Sequence, residues 1–132
     1  MAEEADGPGP ELVEDQLRQA EQAMSDARGA RDAELSDSVV VNRLYYACFH
    51  AAQATLYDQG FEPGSHGGVL SVFGSEIVLG GGATREHGRL LNRLSNLRKR
   101  ADYESGPIQA DVDELLSEAS EFVEAMKRIV FE

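Results

Sequence analysis

Val39-Val-Val-Asn-Arg-Leu-Tyr-Tyr-Ala-Cys-Phe-His-Ala-Ala-Gln-Ala-Thr-Leu-Tyr57 is the stretch whose reading decides the fold. It runs nineteen residues without Gly or Pro and is rich in Ala and Leu, which is long for a strand and ordinary for a helix. At about 100° per residue, Val41, Leu44, Cys48, Ala51, Ala52 and Thr55 fall on one side, and Tyr45, Phe49 and Leu56 widen that face. A helix apolar over most of its circumference belongs at the centre of a fold. The narrow side left over carries Arg43, Tyr46, His50 and Tyr57 within about 60° of one another, flanked by the small Ala47 and Ala54. An arginine, an imidazole and two phenols therefore share one ridge. Either acids from neighbouring helices neutralise these polar groups internally, or the ridge is a site.

Around this segment the chain reads as helices throughout. Residues 1–10 are acidic and rich in Gly and Pro, which predicts a disordered leader; residues 11–132 form one domain. A first helix spans about Glu11 to Arg31, with Leu12, Leu17, Ala20, Met24 and Ala27 as its apolar stripe. Ser36 or Asp37 caps the central helix, and Gly60 with Pro63 ends it. A third helix, about His66 to Leu79, turns Val69, Leu70, Phe73, Ile77 and Val78 to the core, although Gly67, Gly68 and Gly74 weaken it. Gly80-Gly-Gly82 follows as a linker; with no preceding strand and no Gly-Lys-Ser/Thr it lacks the marks of a phosphate loop. A fourth helix runs from a Thr84 cap to about Ala101, its apolar side Leu90, Leu94, Leu97 and Ala101. On it Arg85, Arg89, Arg93 and Arg100 form a basic stripe. The last helix, about Pro107 to Phe131, is strongly amphipathic, and Pro107 suits a first helical position. No stretch alternates as a strand does. The fold class is all-α, an antiparallel bundle of four long helices plus one short helix.

Charge and composition narrow the function. The net charge is −12, yet residues 41–103 hold seven bases against five acids, so the negative excess lies on the two flanks. The positive surface in the middle either is a solvated face that pairs with the acidic flanks or tracks phosphates, and the acidic coat, with Lys99 and Lys127 the only lysines, suits a high-salt cytoplasm. No apolar run is long enough for a membrane span and the N-terminus lacks the pattern of a signal peptide, so a cytoplasmic protein is expected. Cys48 is the single cysteine, on the apolar side of the central helix, and excludes an intrachain disulfide. His50, His66 and His87 do not stand at metal-ligand spacing, and no cofactor fingerprint is present, so neither metal nor cofactor is expected.

The segment Asn42-Arg-Leu-Tyr-Tyr-Ala-Cys-Phe-His-Ala-Ala52, the run Ser65-His-Gly-Gly-Val69, the stretch from Phe73 to Gly80 and Arg100-Ala-Asp-Tyr103, in that order, resemble the HEPN superfamily in its small stand-alone prokaryotic branch. The resemblance covers about residues 12–130. It implies a helical bundle that forms a homodimer, often paired with a minimal nucleotidyltransferase as a toxin–antitoxin or defence system. Many members are metal-independent ribonucleases with an Arg-x(4–6)-His motif, completed across the dimer, which Arg43 and His50 match with six residues between them. On that reading Arg43 and His50 are catalytic, and Tyr46, His66, Arg89, Arg93, Arg100, Asp102 and Tyr103 are candidates for binding RNA or a nucleotide. Two alternatives stay open. One is a non-catalytic nucleotide- or RNA-binding subunit of the transferase, with Arg43, His50 and Arg100 in one open pocket. The other is a structural interaction module in which acids such as Asp102 neutralise Arg43 and His50.

Overall fold

The computed structural model describes residues 8–103 and 107–132. Most of the expected leader, residues 1–7, lies outside the described residues. Helix α1, Pro10–Asp32, opens with a proline in its first turn, where the missing N–H would have had no partner. It ends on Glu34 at φ 60°, with the Glu34 N–H returning to the Arg31 carbonyl at 3.0 Å and the Leu35 N–H to that of Ala30 at 2.9 Å. This left-handed closure satisfies the last carbonyls of the helix and turns the chain sharply. Ser36 then caps α2, Asp37–Asp58, by accepting the Val39 N–H, so a short connection folds α1 and α2 into an antiparallel hairpin.

α2 ends as its sequence requires. Gly60 takes φ 89° and the Phe61 N–H reaches back to Leu56 at 2.8 Å. Ser65 caps α3, His66–Val72, by accepting the Gly68 N–H. From there the expected single helix divides, because Phe73–Val78 winds as a π-helix with the Leu79 N–H bonded to Gly74. The wider turn keeps both Phe73 and Ile77 buried and throws Leu79 outward. α4, Arg85–Tyr103, begins with a reciprocal cap in which the His87 N–H donates to Thr84 Oγ1 and the Thr84 N–H donates to His87 Nδ1, each at 3.1 Å.

α5, Val112–Phe131, starts later than the sequence suggests. Asp111, not Pro107, is the boundary, because its carboxylate accepts the Glu114 N–H at 3.1 Å with Asp113 and Glu114 favouring the helix start. A second correction concerns α1, where Val13 takes the buried position and Leu12 is exposed. Val13 is in register with Leu17 and Ala20, whereas Leu12 lies about 100° behind it.

α2 is the hub of the bundle. α1 lies along it, α5 and α4 pack on its other sides, and α3 with the π turn covers it further, so that Val40, Leu44, Tyr45, Cys48 and Leu56 are fully buried. The core is completed by Met24, Phe73, Leu91, Leu94, Leu115, Phe122 and Met126. Among the described residues no helix is long and apolar enough to cross a membrane.

Two glycines make this packing testable. A Cβ on Gly80 would stand 2.3 Å from the Glu76 carbonyl oxygen, whereas one on Gly29 meets nothing within 4 Å. Urea denaturation should show Gly80→Ala destabilised by roughly 1–3 kcal/mol and Gly29→Ala stabilised by roughly 0.5–1 kcal/mol.

Candidate active site

The buried circumference of α2 leaves Asn42, Arg43, Tyr46, His50, Gln53 and Tyr57 as its half-buried strip. Tyr46 is the centre of what gathers there. The Arg43 guanidinium lies 5.1 Å from its ring centroid, the His50 and His66 rings at 6.2 and 5.9 Å, and the Arg98 guanidinium at 5.8 Å. Four of these five side chains come from the expected set; Arg98 does not. Tyr57, two turns further along the same strip, packs instead against the small apolar cluster of Val13, Leu17 and Ala54.

His50 is held from α1. Its Nδ1 lies 2.7 Å from Gln16 Oε1, and an amide oxygen only accepts, so Nδ1 carries the proton and Nε2 keeps its lone pair. Burial pushes the His50 pKa below the ordinary imidazole value; His66 and Arg43 push the same way and Asp15 opposes them. The neutral, basic ring is thereby favoured. Arg43 is fixed by Nε and Nη2, both donating to Asn42 Oδ1 at 3.0 and 2.6 Å, and by the face of Tyr46. Among the described residues no carboxylate lies within ion-pair distance of Arg43. The neutralisation by acids that a purely structural ridge requires is therefore not what the geometry provides.

His66 opens α3 and leans over the ridge. It stacks on Phe49, with centroids 4.2 Å apart and planes at 23°, and its Nδ1 lies 3.1 Å from the Tyr45 hydroxyl. Burial and then the Arg98 charge push its pKa down, while burial raises that of Tyr45 against the pull of Arg98. The Arg98 guanidinium lies 4.7 Å from the Tyr45 centroid and Nη1 donates to Asp102 at 3.3 Å; its Nε is buried with no hydrogen-bond partner among the described residues. Asp102 thus serves Arg98, and Gln16 takes the orienting role at His50. Tyr103 ends α4, and its side chain lies outside the described residues.

The arginine stripe is elsewhere. Arg85, Arg89, Arg93 and Arg100, with Asn92, Asn96 and Gln109, line an open cleft of about 630 Å³. On the helical wheel of α4 these positions lie roughly opposite Arg98. Arg100 is accordingly not in one pocket with Arg43 and His50, as the sequence had suggested. The two residues that sequence reasoning missed, Gln16 and Arg98, share one signal: each is a polar residue on an apolar stripe, Gln16 beside Val13 and Leu17, Arg98 beside Leu91 and Leu94.

The cluster can take a proton at His50 Nε2 and stabilise negative charge at Arg43. Among the described residues no three His, Cys, Asp or Glu side chains come together as a group that could hold a metal ion.

Comparison with known proteins finds a family and several relatives. Residues 13–129 match the model of the HEPN domain family. A Methanocaldococcus jannaschii protein named "Putative toxin MJ0605" is 36% identical over 93 residues, covering 70% of this chain and 69% of that protein. A Thermotoga maritima protein named "UPF0332 protein" is 31% identical over 123 residues, covering 90% of this chain and 91% of its own. A Gloeobacter violaceus protein of the same designation is 33% identical over 114 residues, covering 84% and 90%.

The lowered imidazoles also have a stability signature. Unfolded, each titrates near 6.5; folded, each does so lower, so below that pH the unfolded chain binds more protons. Stability should therefore fall as pH drops through 6.5 towards the folded values. Urea midpoints taken between pH 7.5 and 5 (about one to two units either side of an ordinary imidazole) should decline, and His50→Gln should make the decline shallower.

Proposed function

The chain belongs to the HEPN domain family, and we propose that within it this protein is a metal-independent endoribonuclease of the toxin type, acting as a homodimer and restrained by a minimal nucleotidyltransferase partner. The observation that carries the reading is the His50 ring, tied through Nδ1 to Gln16, on one ridge with an Arg43 that no carboxylate among the described residues neutralises. In this reading His50 Nε2 removes the proton from a ribose 2′-hydroxyl, and the oxygen attacks the adjacent phosphorus. Arg43 stabilises the charge that builds on the phosphoryl oxygens. Tyr46 offers a ring on which a base can stack, and the Arg89, Arg93 and Arg100 cleft holds phosphates further along the strand. The name of the Methanocaldococcus relative supports the toxin assignment.

The separation of that cleft from the ridge favours a second reading, an RNA-binding subunit without turnover, because phosphate tracking there needs nothing from His50.

Incubation of total RNA with the purified protein in a metal chelator decides between them. Wild type should leave ends bearing a cyclic phosphate, and Arg43→Ala and His50→Ala should each lose about 10²-fold or more with an unchanged helical signal. Binding with no cleavage by wild type, at low and at high salt, would establish the second reading. Under both, Arg93→Ala should lower the slope of log affinity against log salt by about 0.7 for a single strand.

A further inference from the structure

Cleavage of a phosphodiester by its own 2′-hydroxyl needs two proton transfers, one from the attacking oxygen and one to the leaving oxygen. The two oxygens stand on opposite sides of phosphorus in an in-line displacement, so one imidazole does not reach both. Each protomer of the proposed homodimer brings three histidines, and within one protomer their surroundings divide them. His87 has both nitrogens engaged, Nδ1 accepting the Thr84 N–H and Nε2 2.9 Å from Glu121 Oε1, which makes it a structural cap. His50 and His66 are each tied through Nδ1 alone, and among the described residues Nε2 of each has no partner.

Those two rings also share their neighbours. Both contact Phe49, at 5.3 and 4.2 Å between centroids, and both contact Tyr46. One comes from α2 and the other from the start of α3, so they approach from different elements. Resting on the ribonuclease reading above, we propose that His66 is the general acid of the cleavage, delivering the Nε2 proton to the 5′-oxygen as His50 Nε2 takes the proton of the 2′-hydroxyl.

The second partners fix which ring does which. Gln16 Oε1 can only accept, so it holds His50 in the form with a lone pair on Nε2, the base. The Tyr45 phenol can accept from the Nδ1–H of protonated His66 and goes on accepting after Nε2 has lost its proton. No hydrogen bond need break during the transfer. Arg98 stands nearby, over the Tyr45 ring, and its charge makes the His66 cation a stronger acid; an arriving phosphodiester supplies the anion that restores the cation before reaction. Tyr45 and Arg98 are thus positioning residues. In the step the 2′-oxygen–phosphorus bond forms and the phosphorus–5′-oxygen bond breaks. One proton passes to His50 and one leaves His66, so the products are a 2′,3′-cyclic phosphate and a 5′-hydroxyl. Exchange with water then resets both rings.

The test compares two dinucleotides cleaved by the intact chain, one with the ordinary 5′-oxygen and one with sulfur bridging at that position, whose thiolate leaves without a proton. His66→Ala should lose about 10²–10⁴-fold on the oxygen substrate and fall within a few-fold of wild type on the sulfur one. That recovery also shows the variant to be folded. His50→Ala should fail on both substrates. Tyr45→Phe should change the oxygen-to-sulfur rate ratio in the same direction as His66→Ala, and less. Equal losses on the two substrates with His66→Ala, or no loss on either, would overturn the assignment while leaving the ribonuclease reading intact. Cleavage of neither substrate by wild type would overturn both.

Discussion

Everything in this molecule depends on the burial of α2. A helix that hides nearly its whole circumference has one strip left for polar chemistry, and each group on that strip must find its partner on another helix. The partners come from three directions. Gln16 on α1 holds His50, His66 at the start of α3 stacks on Phe49, and Arg98 on α4 covers Tyr45 and Tyr46. Packing around α2 therefore assembles the cluster as a by-product of forming the core, and the entropy of bringing these side chains together is spent in folding. The ridge is precise because the hub beneath it is rigid: Leu44, Tyr45, Ala47 and Cys48 are fully buried immediately below Arg43 and Tyr46.

Charge is arranged on the same plan. Ion pairs between helices join the outer surfaces, with Arg31 on Asp113 and Lys127 on Glu21, and His87 Nε2 donates a hydrogen bond to Glu121. Their carboxylates are exposed, so each adds little to stability. At the ridge the pattern reverses, because among the described residues only Arg98 has a carboxylate partner there and Arg43 is held by an amide and an aromatic face. A chain of net charge −12 thus gathers positive charge on two surfaces, the ridge and the arginine cleft on the other side of α4, where Arg89 pairs with Glu86. Such islands in a negative field draw a polyanion to particular places and repel it elsewhere.

The sequence was legible where a single helix determines the answer. The all-α class, the centrality of α2 and the ridge of Arg43, Tyr46 and His50 all follow from one helical wheel, and the Ser36, Thr84 and Gly60 signals mark helix ends by local chemistry alone. It was not legible where two helices must be set against each other. A wheel places Arg98 at an angle on α4 without saying what faces that angle, and the same blindness put Arg100 in the wrong pocket. Gln16 was hidden because an amide on an apolar stripe looks like an interruption until the imidazole it serves is seen. The start of α5 was misjudged for a local reason, since Pro107 and Asp111 are both plausible starts and only the side-chain acceptor supplies a bond.

The buried Arg98 Nε ties stability to chemistry. An unsatisfied buried donor costs roughly 1–3 kcal/mol, and stacking on an aromatic ring returns roughly 0.5–2 kcal/mol of it. A lysine or methionine of similar length would escape the orphaned donor. Neither would keep a planar cation lying over both phenols while also reaching Asp102. Holding that cation where it acts on His66 thus demands the geometry that leaves Nε unbonded. The unpaired donor and the electrostatic effect are two consequences of one placement, so removing Arg98, Tyr45 or His66 alters the remaining two, and their effects will not add as independent terms.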